Sequence, residues 1–133
     1  MTESKKENSN DDPSGEAPDD ADAKKRKLYV GLDLGTLQSC ILSRLSKPGS
    51  EENHGILVPT VVGYPEDGIL AGILPGNAKM LHGDEALANE LHLRLVNPLS
   101  DGVVSDLDAT KSFLGYLREK VDPERKREVY CVI

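Results

Sequence analysis

A short polar segment between two apolar runs carries the residue types that bind phosphate. It begins at Asp33 and continues through Gly35, Thr36, Leu37 and Gln38. Glycine has no Cβ, so a phosphate can approach the backbone at Gly35, and the amides of the next three residues can point towards it. The Thr36 hydroxyl can donate to a phosphate oxygen. Asp33 ends the preceding run, where its carboxylate can hold Mg²⁺ through water, because Mg²⁺ keeps much of its hydration shell beside phosphates.

The same segment has a simpler interpretation. An Asp-x-Gly sequence between apolar runs is also common in the turns of β-hairpins, whatever the protein does. Short motifs match by chance, so this pattern alone leaves both the phosphate loop and the ordinary turn open.

Apolar runs around the loop predict the strands that would hold it in place. Residues 28–32 and 39–45 are short, apolar and nearly uncharged, which is typical of buried strands. A third run at 56–64 contains Pro59, which favours an edge strand or a bulge. The polar residues 46–55 between the second and third runs predict a loop. The three runs together predict an antiparallel meander.

Residues 65–97 predict an excursion from the main sheet. Glycines and prolines divide residues 65–81 into short apolar pieces, as expected for a small β subdomain. Gly83 then opens a short helix that is predicted to end near Val96 or Asn97, ahead of Pro98.

A second helix, with the clearest periodicity in the sequence, is predicted after Ser105 as its N-cap. It is expected to stop at Asp122 and Pro123, and residues 128–133 predict a further strand in the same sheet as the first. Because that strand has no turn or partner after it, we expect the chain to be the first part of a larger α/β fold. The helix should bury one stripe of residues at three- and four-residue spacing, with Phe113 beside it: Leu107, Thr110, Leu114, Leu117 and Val121.

Composition separates the first 27 residues from the rest of the 133-residue chain. Residues 1–23 contain no aromatic residue, Val, Ile or Leu, and they carry eight acidic residues and two lysines, so most of the net charge of −7 lies there. We expect residues 1–27 to form a disordered acidic tail that ends in a basic run, Lys24 to Lys27. That run fits either a solvated hinge or a patch for anions or membranes.

Charge and cysteine content exclude some classes of function. The remaining residues have no basic surplus, so nucleic acid is not an expected partner. No run reaches the length of about 20 apolar residues that a membrane span needs. Two cysteines without a disulfide-type framework fit a reducing cytoplasm.

Three segments carry a resemblance to a known superfamily. Gly-Leu-Asp-Leu-Gly-Thr-Leu-Gln-Ser at 31–39 resembles the first phosphate loop of the actin and chaperone ATPases, whose lobes contain an RNase H-like mixed sheet. Pro-Leu-Ser-Asp-Gly-Val-Val-Ser-Asp at 98–106 resembles bacterial actins of the MreB type. Residues 61–67, 83–86 and 91–99 are similar to the magnetosome-aligning bacterial actins of the MamK type.

The resemblance covers residues 28–133 and implies a truncated N-terminal lobe of an actin-like ATPase. It makes Asp33 the Mg²⁺-organising carboxylate and makes Gly35, Thr36, Leu37 and Gln38 the cradle for the β- and γ-phosphates of ATP. Bacterial actins often have Ala-Asn where this chain has Leu37 and Gln38. The family's second phosphate loop, adenosine-binding residues and water-activating carboxylate match no residue here, so we expect the chain alone to be inactive.

The resemblance implies an actin-like cytoskeletal ATPase of the cytoplasm. When full-length, such a protein associates with itself into filaments, and the MamK type positions magnetosomes, which implies magnetosome or membrane-associated partners. Two alternatives stay open. Asp33 to Thr36 followed by Ser39 and Cys40 also resembles the DnaK-type chaperone ATPases, although residues 101–103 speak against that type. The chain could also be an inactive remnant.

Overall fold

The fold consists of a four-stranded mixed sheet, a second small sheet, a β-hairpin and two α-helices. This architecture belongs to a computed structural model that describes residues 27–45 and 53–133. Residues 1–26, which were predicted to be disordered, lie outside the described residues. Residues 46–52, which form most of the predicted loop, also lie outside them. Lys27, which we assigned to the tail, is the first residue of a strand.

The main sheet holds the segment from Asp33 to Gln38 at the turn between its two central strands. β1 (Lys27–Leu34) pairs antiparallel with β2 (Gln38–Leu45), and β2 pairs antiparallel with β3 (Asn53–Pro59). The predicted meander is confirmed, and β3 is an edge strand, as Pro59 indicated. The predicted loop at 46–55 is wrong at its end, because Asn53 to Gly55 already pair with β2.

The third apolar run divides between two sheets, which corrects the prediction of one strand at 56–64. After β3 the chain turns at Thr60, where the Val61 N–H donates to the Pro59 carbonyl at 3.0 Å. β4 (Val62–Pro65) then lies between β5 (Leu81–His82) and β6 (Leu93–Val96), antiparallel to both. This second sheet has its own apolar core, which is formed by Val61, Leu74, Leu81, Ala86 and Leu93.

The helix that opens at Gly83 is shorter than predicted. α1 (Gly83–Ala88) is followed by a 3₁₀ turn at Glu90–His92 and then by β6. The predicted end near Val96 or Asn97 is therefore wrong. Leu93 is 5% exposed in the second core, and pairing with β4 takes these residues out of the helix. Local periodicity cannot reveal a long-range pairing of this kind.

A short hairpin leads into the long helix. β7 (Leu99–Ser100) pairs with β8 (Val103–Val104), and α2 follows at Leu107–Val121. Asp106 caps α2, because its Oδ1 accepts from the Ala109 N–H at 2.9 Å. The prediction of Ser105 as the cap is wrong: its hydroxyl donates to the Asn97 carbonyl at 2.7 Å.

α2 covers one face of the main sheet. Phe113 is fully buried, whereas Leu107 is 60% exposed, so the buried stripe differs from the predicted one. Leu114 and Val121 are only partly buried at the edge of this core. The helix packs on residues from β1, β2 and β3, and the buried cluster consists of Leu28, Val30, Leu32, Ile41, Val58, Val62, Ala109, Phe113 and Leu117.

After α2 the chain returns to the main sheet through a turn built on a buried acid. Asp122 is 1% exposed, and its Oδ2 accepts from the Arg127 N–H at 3.1 Å. The Arg127 guanidinium lies 3.5 Å from Oδ1. β9 (Glu128–Val132) then pairs parallel with β1, which gives the order β3-β2-β1-β9 and confirms that the last strand joins the sheet of the first.

His82 joins the second sheet to α2. Its Nε2 lies 2.7 Å from the Ser112 hydroxyl, and its ring stacks on Tyr116 with the centroids 4.9 Å apart. Burial lowers the pKa of His82 below its usual value, while Glu119 and Glu85 act in the opposite direction.

Candidate phosphate-binding loop

Asp33 lies near the end of β1 on the face of the sheet opposite to α2. Side chains alternate along β1, so Leu28, Val30 and Leu32 point into the core while Asp33 is exposed. Asp33 pairs with Cys40 across the ladder to β2. Asp33 is therefore accessible to solvent, two residues before the turn begins at Gly35.

Gly35 is required by a close approach between the two ends of the turn. A Cβ built on Gly35 would lie 2.3 Å from the Gln38 carbonyl oxygen, a distance that real Cβ atoms essentially never show. Because the obstructing atom belongs to the backbone, no side-chain rotation can relieve the clash. Gly35 does not adopt a positive φ, so the requirement is steric. The space that the missing Cβ leaves is taken by the Gln38 carbonyl, and the approach of a phosphate to Gly35 stays a prediction.

The tip of the loop is open. Leu37 is 78% exposed, Gln38 is exposed and Thr36 is half-buried. Asp33 and residues 35–38 thus lie within six successive positions, which span the end of β1, the turn and the first residue of β2. An apolar side chain that is exposed to this extent makes little contribution to folding. Leu37 contributes its backbone to the loop.

Two buried hydroxyl residues behind the loop were missed by the sequence analysis. The Thr60 N–H donates to the Leu37 carbonyl at 2.9 Å, and the Thr60 Oγ1 lies 2.8 Å from the Ser39 Oγ. Thr60 is 1% exposed and Ser39 is fully buried. One signal could have indicated them: Ser39 occupies an inward position of β2, two residues before Ile41, and a buried hydroxyl needs a partner.

The residues of the loop fit a magnesium triphosphate. Within residues 27–45 and 53–133, no group of three or more His, Cys, Asp or Glu side chains could hold a metal ion. A metal at Asp33 would thus take most of its ligands from water and phosphate, as Mg²⁺ does. Leu37 and Gln38 are exposed, so a phosphate can reach the tip of the loop from solvent.

None of the helices in the described ranges has both the length and the apolar character that crossing a membrane requires.

Comparisons with known proteins point to one group. No family model matches the chain. It is 31% identical over 111 residues to a "MamK-like protein" from Paramagnetospirillum magneticum, and 31% identical over 114 residues to an "Actin-like protein MamK" from the same strain. These matches cover 80% and 82% of this chain. An "Actin-like protein MamK" from Magnetospirillum gryphiswaldense is also 31% identical, over 82% of the chain.

A solved structure agrees with these sequence matches. The chain is similar to the structure entitled "MamK double helical filament", with a TM-score of 0.67 and 28% identity over 80% of its residues. That match covers 32% of the solved chain, and this chain spans about 30% of the length of the curated relatives.

Proposed function

Because the chain is an actin-like protein related to MamK over about 30% of that protein's length, we propose that it is the N-terminal part of an actin-like cytoskeletal ATPase. In this proposal residues 35–38 bind the phosphates of ATP, and Asp33 organises Mg²⁺. The observation that carries it is the 2.3 Å separation between the position of a Gly35 Cβ and the Gln38 carbonyl, in a turn whose tip is exposed. The close approach keeps the turn tight, and a phosphate can reach its exposed tip.

Each residue of the loop has a role that its position supports. Gly35 lets the two ends of the turn approach each other closely, and the amides of residues 36–38 donate to a phosphate oxygen. The Thr36 hydroxyl supplies a further donor. Asp33 is exposed in β1, two residues before Gly35, where it orients metal-bound water. Bound Mg²⁺ would neutralise part of the phosphate charge.

One loop binds phosphate but does not complete the reaction. Phosphoryl transfer depends on positioning and charge stabilisation from several groups at once. The loop supplies donors on one side of the triphosphate, so we expect the 133-residue chain to bind Mg·ATP weakly and to release no phosphate. Hydrolysis belongs to the whole protein, in which other segments face this loop.

Filament formation is the cellular role that the relatives support. One of them was solved as a double helical filament, and the curated relatives are named actin-like proteins. We extend this to self-association of the whole protein in the cytoplasm, with ATP favouring assembly and hydrolysis weakening the contacts between subunits. The resemblance to the MamK type extends the role to positioning magnetosomes through membrane-associated partners. The actin-like relatives favour this role over a chaperone ATPase.

A segment exchange tests the proposed function. Residues 27–133 of this chain replace the matching segment of MamK from Paramagnetospirillum magneticum, and phosphate release and filament formation are measured. We expect the chimera to hydrolyse ATP and to form filaments. Asp33→Ala should abolish Mg²⁺-dependent hydrolysis, whereas Asp67→Ala, which removes an exposed acid far along the chain from the loop, should leave it unchanged.

Two results would contradict the proposal. A folded chimera that neither hydrolyses ATP nor assembles would show that this chain does not supply a working phosphate loop. Equal hydrolysis by the Asp33→Ala and Asp67→Ala chimeras would remove Asp33 from the site. Circular dichroism of each chimera establishes that it is folded before either result is counted.

A further inference from the structure

We propose that Thr60 is a positioning residue for the phosphate loop. Its amide holds the Leu37 carbonyl and its hydroxyl holds Ser39, so that the backbone of the loop is already ordered when a phosphate binds. This inference rests on the proposed function, since it assigns Thr60 and its partner Ser39 to the support of the same site. Thr60 follows Leu37 by 23 positions, and sequence spacing gives no indication that the two residues touch.

Thr60 contacts the loop through its backbone. The Thr60 N–H donates to the Leu37 carbonyl at 2.9 Å, one residue beyond the last register pair of β2 and β3, Gln38 with Pro59. Pro59 has no N–H and cannot hold the loop in this way. The backbone donor that holds the loop is therefore the N–H of Thr60, the first residue after β3.

Fixing the Leu37 carbonyl also fixes the direction of the next amide. The peptide bond is planar and trans, so the carbonyl of Leu37 and the N–H of Gln38 point in opposite directions. Because the carbonyl points to Thr60, the Gln38 N–H points away from it. The peptide group between Leu37 and Gln38 is therefore ordered before a phosphate binds, which reduces the entropy lost on binding.

The Thr60 hydroxyl makes the anchor specific. Its Oγ1 lies 2.8 Å from the Ser39 Oγ, and both side chains are almost completely buried. Each hydroxyl needs the other, because a buried polar group without a partner destabilises the fold. The pair therefore ties Thr60 to β2 directly beneath the loop, in addition to the backbone contact with Leu37.

Neighbouring residues hold Thr60 from the other side. The Val61 N–H donates to the Pro59 carbonyl at 3.0 Å, which closes a tight turn around Thr60. The Val61 carbonyl accepts from the Gly83 N–H at 3.0 Å, at the start of α1. Thr60 is thus a fixed point between the main sheet and the second sheet, and it can impose its position on the loop.

The test compares variants of the full 133-residue chain by two measurements. The first is amide hydrogen exchange of residues 36–39 and 60 without nucleotide, and the second is the affinity for Mg·ATP from amide chemical shifts. Thr60→Val keeps the shape and the backbone N–H but removes the hydroxyl. Thr60→Ser restores a hydroxyl. Ser43→Ala is the matched control, because Ser43 lies on the same strand and face as Ser39, is 7% exposed and donates to the His54 carbonyl at 3.5 Å, away from the loop.

We expect Thr60→Val to speed amide exchange in the loop and to weaken Mg·ATP binding by about fivefold, the factor that one net hydrogen bond corresponds to. Thr60→Ser should recover most of both properties. Ser43→Ala should change global stability by a similar amount and leave loop exchange and affinity unchanged. If the role of Thr60 were purely structural, Thr60→Val and Ser43→Ala would have the same effect on loop exchange and on Mg·ATP affinity.

The failures of the two proposals differ. Unchanged loop exchange and unchanged affinity in Thr60→Val, with binding by the wild type, would overturn the role of Thr60 alone. No chemical shift change in the wild type with Mg·ATP would refute the proposed function and the role of Thr60 in phosphate binding. If Thr60→Val does not fold, Ser39→Ala removes the same hydroxyl pair from β2 and is judged by the same two measurements.

Discussion

Gly35→Ala should distort the phosphate loop while leaving the remainder of the fold intact. The added Cβ would meet the Gln38 carbonyl oxygen at 2.3 Å, about 0.7 Å closer than the 3.0 Å below which real Cβ atoms are essentially never found. The obstacle is backbone, so the turn itself must open by about that amount. Forcing an extra methyl group into a tight site typically costs about 1–3 kcal/mol of unfolding free energy.

The matched control for this change is Gly31, which lies four residues earlier in β1. A Cβ on Gly31 would have the Leu42 carbonyl oxygen at 4.0 Å as its nearest neighbour, which is ordinary contact. Gly31→Ala should therefore be neutral, or stabilising by about 0.5 kcal/mol through the loss of backbone freedom in the unfolded chain. Urea denaturation of both variants measures the difference in unfolding free energy.

Binding should separate the two glycine variants further. A displacement of about 0.7 Å lengthens the hydrogen bonds from the loop amides beyond their useful range, so Gly35→Ala should weaken Mg·ATP binding by about tenfold. Gly31→Ala should bind as the wild type does. Equal stability and equal affinity of the two variants would refute the reasoning, because the close approach at Gly35 would then have no consequence.

Three further predictions concern the fold around the site. Phe113→Ala should cost about 3–5 kcal/mol of unfolding free energy, because Phe113 is fully buried, whereas Leu107→Ala should cost almost nothing; urea denaturation distinguishes them, and equal losses would contradict the assignment of the buried stripe. Burial depresses the pKa of His82, so the unfolding free energy should decline as the pH falls below about 6.5, where the unfolded chain takes up the proton first. His82→Gln should flatten this decline, and the same pH profile in the variant and the wild type would contradict the role of His82. Asp122→Ala should destabilise the chain by about 1–3 kcal/mol, since it leaves the Arg127 amide without its acceptor; a thermal midpoint equal to that of the wild type would be inconsistent with this turn.

The sequence predicted elements wherever local pattern and long-range packing agree. β1 and β2 are short, mainly apolar segments. They are neighbours in the sequence and are joined by a short turn, so their pairing can be predicted from local information. The strand at the end of the chain followed a long helix, and this order predicts a return to the same sheet. The prediction of the first helix failed because residues distant in the sequence determine where that helix ends. The residues after Ala88 leave the helix because β6 pairs with β4, which lies about 30 positions earlier.

The candidate site was predictable in its chemistry but not in its support. Asp33 and Gly35 stand in a short motif whose residue types can bind phosphate, so the motif could be recognised from the sequence. Ser39 and Thr60 meet only because β3 pairs with β2 and the chain then turns at Thr60. The inward position of Ser39 indicates that its hydroxyl needs a partner, but it does not identify Thr60, since a shift of one residue in strand register would move the partner to the other face.

The most direct test of the central claim is a titration of the ¹⁵N-labelled 133-residue chain with Mg·ATP, followed by backbone amide chemical shifts. We predict weak, saturable binding in about the millimolar range, with the shifts concentrated at residues 35–38. Asp33→Ala should reduce this response when Mg²⁺ is present, because the carboxylate that organises the metal is gone. Absence of shifts in the loop, or shifts centred on another part of the chain, would contradict the claim that this turn binds the phosphates of ATP.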